Sequence, residues 1–132
     1  MDPRALNAMN EQTRLGHALL TRWAQAMKRD NPQAWPSLTI LARVIEAGPA
    51  AAVIVEYRMA CASPEVEAVD QLVTHMARDM KVAVLAYYGE WLPEAKVAEE
   101  LGWPQGRLSL QLRMAREIVA VGVSAQLRRA AV

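Results

Sequence analysis

The sequence has no phenylalanine, one cysteine and two histidines, and only 5% of its residues are aromatic. Cys61 cannot form a disulfide within the chain, and with His17 and His75 it offers no spacing that would hold zinc. We therefore expect no metal and no cofactor, and a reducing cytoplasm as the compartment. Because the core has to be built from aliphatic side chains, methionine and a few tryptophans, the composition favours helices over sheets.

Long uninterrupted apolar runs are also missing. The first ten residues place no apolar stretch behind a basic patch, and charged residues interrupt every later apolar window. Neither a signal peptide nor a membrane span is expected. Catalysis is not expected either, because His17 and His75 lie in helical patterns without a nearby nucleophile and acidic pairs such as Glu99 and Glu100 fall on solvated helix faces.

The net charge is only +1, but the charges are distributed unevenly. Residues 1–62 carry +2, residues 63–103 carry −5 and residues 104–132 carry +4. A uniformly basic nucleic-acid binder is therefore excluded. A basic C-terminal segment beside an acidic middle can still attract a polyanion, because local fields rather than the total charge steer association.

Capping residues, prolines and glycines divide the chain into about seven helices. Asp2-Pro3 predicts the start of one long helix over residues 3–29. Ser37 predicts the cap of a short helix that Gly48-Pro49 ends. Val53, Ile54 and Val55 in the segment Ala50–Ala60 would suit a strand, but no second strand pattern could pair with it, and we predict a helix.

The second half of the chain has clearer boundaries. Ser63-Pro64-Glu65 combines a capping hydroxyl, a first-turn proline and an acid, which is a typical helix start. An apolar helix is expected over Val82–Trp91. The whole chain, residues 1–132, is predicted to form a single compact all-α domain, with the N-terminal helices in 1–62 and a helix-turn-helix part in 63–132.

The spacing of Pro93, Gly102 and Pro104 predicts this helix-turn-helix. Pro93 opens a short helix that ends at Leu101-Gly102, a turn of a few residues follows, and Pro104 opens a longer helix. Ala98 is small where the two helices must cross closely, and Gly102 suits a left-handed turn. Apolar residues on the second helix then recur with helical spacing and define the face packed against the rest of the domain: Leu108, Leu112, Ala115 and Val119.

The opposite face of the last helix predicts contacts to DNA. Arginines there could bond guanine edges or phosphates, Ser109 could donate to either, and Leu110 could touch a thymine methyl. Gln105 lies near the helix N-terminus, where backbone N–H groups favour phosphate. The candidate DNA-binding residues are Gln105, Arg107, Ser109, Leu110, Arg113 and Arg116.

The same pattern is also compatible with two packed helices that bind no DNA. Leu110, Met114, Ile118 and Val121 place apolar side chains on or near the outward face, which is unusual for a helix in the major groove. The alternative prediction is a helical protein-interaction adaptor that binds RNA polymerase or a second copy of itself through the last helix.

Three segments resemble the small type of phage antitermination protein Q. HALLTRWAQAM (17–27) is similar to the family's Leu-Leu-x-x-Trp opening, and SPEVEAVDQLVTHMARDMKVAVLAYY (63–88) is similar to its acidic helix and the Tyr-bearing helix that follows. AKVAEELGWPQGRLSLQLRMA (95–115) is similar to its helix-turn-helix, and this part also resembles region 4 of sigma factors.

The resemblance implies a phage or prophage transcription antitermination regulator in the cytoplasm of a bacterial host cell. Its implied partners are double-stranded DNA near a late promoter and the bacterial RNA polymerase paused there. The resemblance also implies which residues form the scaffold of the helix-turn-helix: Ala98, Leu101, Gly102, Leu108, Leu112 and Ala115. It carries over Gln105, Arg107, Ser109 and Arg113 as candidate contacts to DNA.

Overall fold

The computed structural model describes residues 10–31, 35–48 and 63–130 and is all-helical over these ranges. Six helices follow one another along the described chain. They are α1 (Glu11–Asp30), α2 (Leu38–Glu46), α3 (Pro64–Thr74), α4 (Arg78–Glu90), α5 (Glu94–Leu101) and α6 (Gln105–Ala130). The predicted all-α class is confirmed, whereas the helix predicted over Ala50–Ala60 lies outside the described residues.

The two serine caps lie where the sequence predicts them. The Ser37 hydroxyl accepts a hydrogen bond from the backbone N–H of Ile40 at 3.2 Å, and the Ser63 hydroxyl accepts one from Val66 at 3.3 Å. Each bond satisfies a backbone donor that has no partner within the first helical turn. The starts of α2 and α3 are therefore set by local side-chain chemistry.

Two predicted boundaries are wrong. The long helix predicted over residues 3–29 is not continuous through Asn10, which has extended backbone (ψ 170°) and whose side chain accepts from Thr13 N at 2.8 Å. An asparagine caps a helix readily, so α1 begins at Glu11 instead. Helix α4 begins at Arg78, one turn earlier than the apolar run that starts at Val82, and ends at Glu90.

Helix α6 is the centre of the packing. It lies against α1, α3 and α4 with one face, and α5 packs on its N-terminal part. The α6 residues predicted to form the core face, Leu108, Leu112, Ala115 and Val119, are all fully buried. None of the helices in the described part of the chain has an apolar stretch long enough to cross a membrane.

The crossing of α1 and α6 is unusually close. A Cβ atom at Gly16 would lie 1.9 Å from the carbonyl oxygen of Arg116, which is far inside van der Waals contact. Only glycine lets the two backbones approach to this distance. The middle of α6 is therefore held directly against the N-terminal helix.

Candidate nucleic-acid interface

The turn between α5 and α6 is set by Gly102. This residue has left-handed backbone angles (φ 73°, ψ 26°), which favour glycine over residues with a Cβ atom. Its N–H donates to the carbonyl oxygen of Glu99 at 3.1 Å, and the Trp103 N–H donates to that of Ala98 at 2.9 Å. This pair of bonds is the Schellman arrangement that closes many helices. Only three residues, 102–104, separate the end of α5 at Leu101 from the start of α6 at Gln105.

The two helices pack tightly below this turn. Ala98 is 2% exposed and Leu101 is 3% exposed, so α5 lies with its small and aliphatic side chains against the core. Trp103 in the turn is also buried, and the guanidinium group of Arg107 in α6 lies over its ring. The predicted helix, turn and helix are therefore present, with α6 presenting its opposite face outward.

Four of the six predicted contact residues lie on the accessible surface. Gln105, Arg107, Leu110 and Arg113 are exposed, and they belong to the first three turns of α6. Ser109 is half-buried, and its hydroxyl donates to a carboxylate oxygen of Glu94 at 3.2 Å. Two arginines and one glutamine are thus accessible near the N-terminus of α6, with Arg107 and Arg113 on either side of Leu110 around the helix.

The prediction for Arg116 is wrong. Its side chain is only 6% exposed, and its Nε donates to the Tyr88 hydroxyl at 2.9 Å. The guanidinium carbon also lies 5.5 Å from the centre of the Tyr87 ring. With 100° per residue, position 116 falls close to Leu112 and Val119 on the packed side of α6. Its charge makes it a plausible contact to DNA, but its helical phase places it inside.

Arg116 belongs to a buried polar cluster that the sequence does not reveal. Arginine only donates hydrogen bonds, so the Tyr88 oxygen accepts from Arg116 and its own hydrogen is free to bond His17 Nδ1, 2.9 Å away. Burial raises the pKa of Tyr88 to about 12, which keeps the hydroxyl protonated. Burial and the neighbouring Arg116 charge lower the pKa of His17. These hydrogen bonds and the neighbouring charge of Arg116 therefore favour a neutral imidazole at His17.

This cluster predicts a loss of stability in mild acid. The pKa of His17 is lower in the folded protein than its ordinary value of 6.5. The unfolded chain therefore takes up the proton first, and the stability that is present above that value is lost as the pH falls through the folded pKa. Urea unfolding at pH 7.5 and pH 5 should show a larger decrease for the wild type than for His17→Gln. His75→Gln, which removes an exposed histidine, should show the same decrease as the wild type. An equal decrease in the free energy of unfolding in all three proteins would contradict the prediction.

Arg107 is exposed but not free. One of its terminal nitrogens contacts Asp79 at the start of α4, and its guanidinium carbon lies 4.4 Å over the Trp103 ring. Asp79 also accepts two hydrogen bonds from Arg78, at 2.7 Å and 3.1 Å. Partial burial raises the pKa of Asp79, but the hydrogen bonds from Arg107 and Arg78 outweigh it and lower that pKa. Asp79 is therefore a carboxylate held between two guanidinium groups.

An apolar stripe runs along the same helix. We use this name for four side chains that are each between 36% and 54% exposed: Leu110, Met114, Ile118 and Val121. Their spacing of four, four and three residues keeps them within one narrow sector of α6. The stripe begins among the polar residues near the turn and continues beyond them. It is the feature that a protein partner would contact.

Within the described ranges, no three His, Cys, Asp or Glu side chains are arranged to hold a metal ion. A scan against protein-family models and searches of curated proteins and solved structures gave no match to this chain.

Proposed function

We propose that this protein is a phage or prophage transcription antitermination regulator that binds double-stranded DNA through α5 and α6 and engages RNA polymerase. The observation that carries the proposal is the turn at Gly102, after which α6 presents Gln105, Arg107 and Arg113 outward. The similarity of three sequence segments to antitermination protein Q supports the choice of process. The proposal gives the protein no catalytic activity.

The physical basis is the fit between one helix face and the major groove. The groove admits an α-helix, and arginine side chains near the N-terminal end can bond guanine edges or phosphates. Residues 104–132 carry five basic side chains and one acidic side chain. Arg113 is exposed, two turns from the start of α6, and is our candidate for a contact to a DNA phosphate.

The direct test is run-off transcription with purified bacterial RNA polymerase on a phage late promoter followed by a terminator. The protein should increase the fraction of transcripts that pass the terminator, and the increase should require the DNA upstream of the pause. Unchanged read-through at all protein concentrations would contradict the proposal.

Arg113→Ala should weaken binding to duplex DNA. Losing one phosphate or base contact is expected to cost about 1–3 kcal/mol and to reduce the salt dependence of binding by about one ion. The free energy of unfolding should stay within about 0.5 kcal/mol, because the side chain is exposed. Fluorescence anisotropy with a labelled random-sequence duplex across a salt series measures the first effect, and urea unfolding measures the second.

Arg29→Ala is the matched control, since Arg29 is an exposed arginine at the far end of α1. It removes the same charge outside the helix-turn-helix and should leave DNA binding nearly unchanged. An equal loss in both variants would assign the effect to net charge alone and would remove Arg113 from the interface.

The second candidate function is a helical adaptor that contacts protein and not DNA. The apolar stripe on α6 favours it, because side chains such as Val121, which is 54% exposed, gain nothing from contact with a phosphate backbone. An adaptor predicts no binding to duplex DNA even at low salt, together with retained binding to polymerase or self-association in light scattering. Measuring duplex binding at low salt therefore separates the two functions.

A further inference from the structure

Asp79 at the start of α4 forms an ion pair with Arg107, which lies on the surface proposed to meet DNA. We propose that Asp79 is a built-in competitor: it holds the Arg107 guanidinium on α4 in the free protein and yields it to a phosphate when duplex DNA binds. This inference rests on the proposed DNA-binding function and deepens it, since it assigns an autoinhibitory contact to the same surface.

The first support is the position of the ion pair. Arg107 is the third residue of α6, on the surface that the proposed function turns toward DNA, and its side chain is 43% exposed. Its partner carboxylate is 28% exposed and lies beside the same surface. A phosphate and the Asp79 carboxylate would therefore compete for one set of guanidinium donors.

The second support is Arg78, which lowers the free-energy cost of moving Arg107 from Asp79 to a phosphate. Arg78 contacts Asp79, and its other donors reach the carbonyl oxygens of Val44 and Gly48 at the end of α2. Its guanidinium is thus fixed by three partners and is only 19% exposed. When Arg107 leaves, Asp79 keeps a charged hydrogen-bond partner. The carboxylate is not stranded without a donor, which would otherwise oppose the transfer.

The third support is the Trp103 ring. The Arg107 guanidinium lies over this ring in the turn, so one face of the guanidinium is held independently of Asp79. Stacking on an aromatic face leaves the N–H donors at the edge available to a carboxylate or a phosphate. The side chain can therefore change its acidic partner without leaving the start of α6.

The test is Asp79→Asn in the full chain, assayed by anisotropy with a labelled random-sequence duplex over a salt series. Asparagine keeps an acceptor for Arg78 but loses the charge. We expect the duplex to bind several-fold more tightly at low salt, because Arg107 no longer has to leave a carboxylate. The slope of log affinity against log salt should stay close to that of the wild type, because Arg107 contacts a phosphate in both complexes. Asp79→Ser, which also keeps an acceptor, serves as a second variant if the first fails to fold.

Two controls separate this effect from a change in overall charge. Glu67→Gln removes one exposed acidic charge from α3, outside α5 and α6, and should change the affinity little. In an Arg107→Ala background, Asp79→Asn should give no gain. A gain equal to that of Glu67→Gln, a gain that persists without Arg107, or a loss of affinity would each overturn the inference while leaving DNA binding intact. Absence of duplex binding by the wild type and all variants at low salt would instead overturn the proposed function and the inference with it.

Discussion

Replacing Gly16 with alanine is expected to lower the free energy of unfolding by about 1–3 kcal/mol or more, although alanine is the better helix former. The added methyl group would lie 1.9 Å from the carbonyl oxygen of Arg116, and the next two nearest atoms also belong to the Arg116 backbone. A backbone atom cannot move aside as a side chain can. The two helices must therefore separate and lose packing along their length. Urea denaturation followed by circular dichroism measures the change.

Gly106→Ala is the control for this experiment. Apart from its chain neighbours and the backbone of its own helix, no atom of the described residues lies within 4 Å of a Cβ atom built at Gly106, and the residue is exposed in the first turn of α6. Alanine there should be neutral or stabilising by up to about 1 kcal/mol. Opposite signs for the two substitutions are expected. Similar effects at both sites would contradict the close crossing of α1 and α6.

Leu112→Ala should lower the free energy of unfolding by about 2–5 kcal/mol. Leu112 is fully buried between α6 and the neighbouring helices, so its removal exposes no new surface to water and leaves a cavity. The cost then includes both the transfer free energy of the deleted atoms and the weaker van der Waals packing of the side chains that line the cavity. Thermal melting and urea unfolding should both detect it.

Leu110→Ala provides the matched comparison on the same helix. Leu110 is 44% exposed and belongs to the apolar stripe, so its truncation should change the free energy of unfolding by no more than about 0.5 kcal/mol. The pair tests which face of α6 is packed. Equal losses at the two positions would mean that the orientation of the helix is wrong.

The features that could be predicted from sequence depend on neighbouring residues. The serines at 37 and 63 and the glycine at 102 each satisfy backbone groups within four residues, so their effect does not depend on the rest of the fold. The buried face of α6 follows from helical periodicity alone, and all four predicted positions are buried. The same periodicity places Arg113 on the opposite face of α6, where it is exposed.

The features that escaped prediction depend on contacts between distant segments. Arg107 meets Asp79 across 28 positions, and His17 meets Tyr88 across 71. No local pattern indicates that a histidine on the first long helix faces a tyrosine on α4. The burial of Arg116 is of the same kind, because only the tyrosines that surround it make a buried guanidinium tolerable.

Because of the contact between Gly16 and Arg116, α5 and α6, the proposed DNA-binding part, are not expected to fold as an independent fragment. Helix α1 packs against α6 near its midpoint, at Arg116. There the Tyr88 hydroxyl contacts both the Arg116 guanidinium and His17 on α1. A fragment limited to α5 and α6 would lack the packing of α1. Its charged Arg116 and the apolar face of α6 that α1 covers would then be exposed to water. The surface proposed to meet DNA therefore depends on its packing against α1.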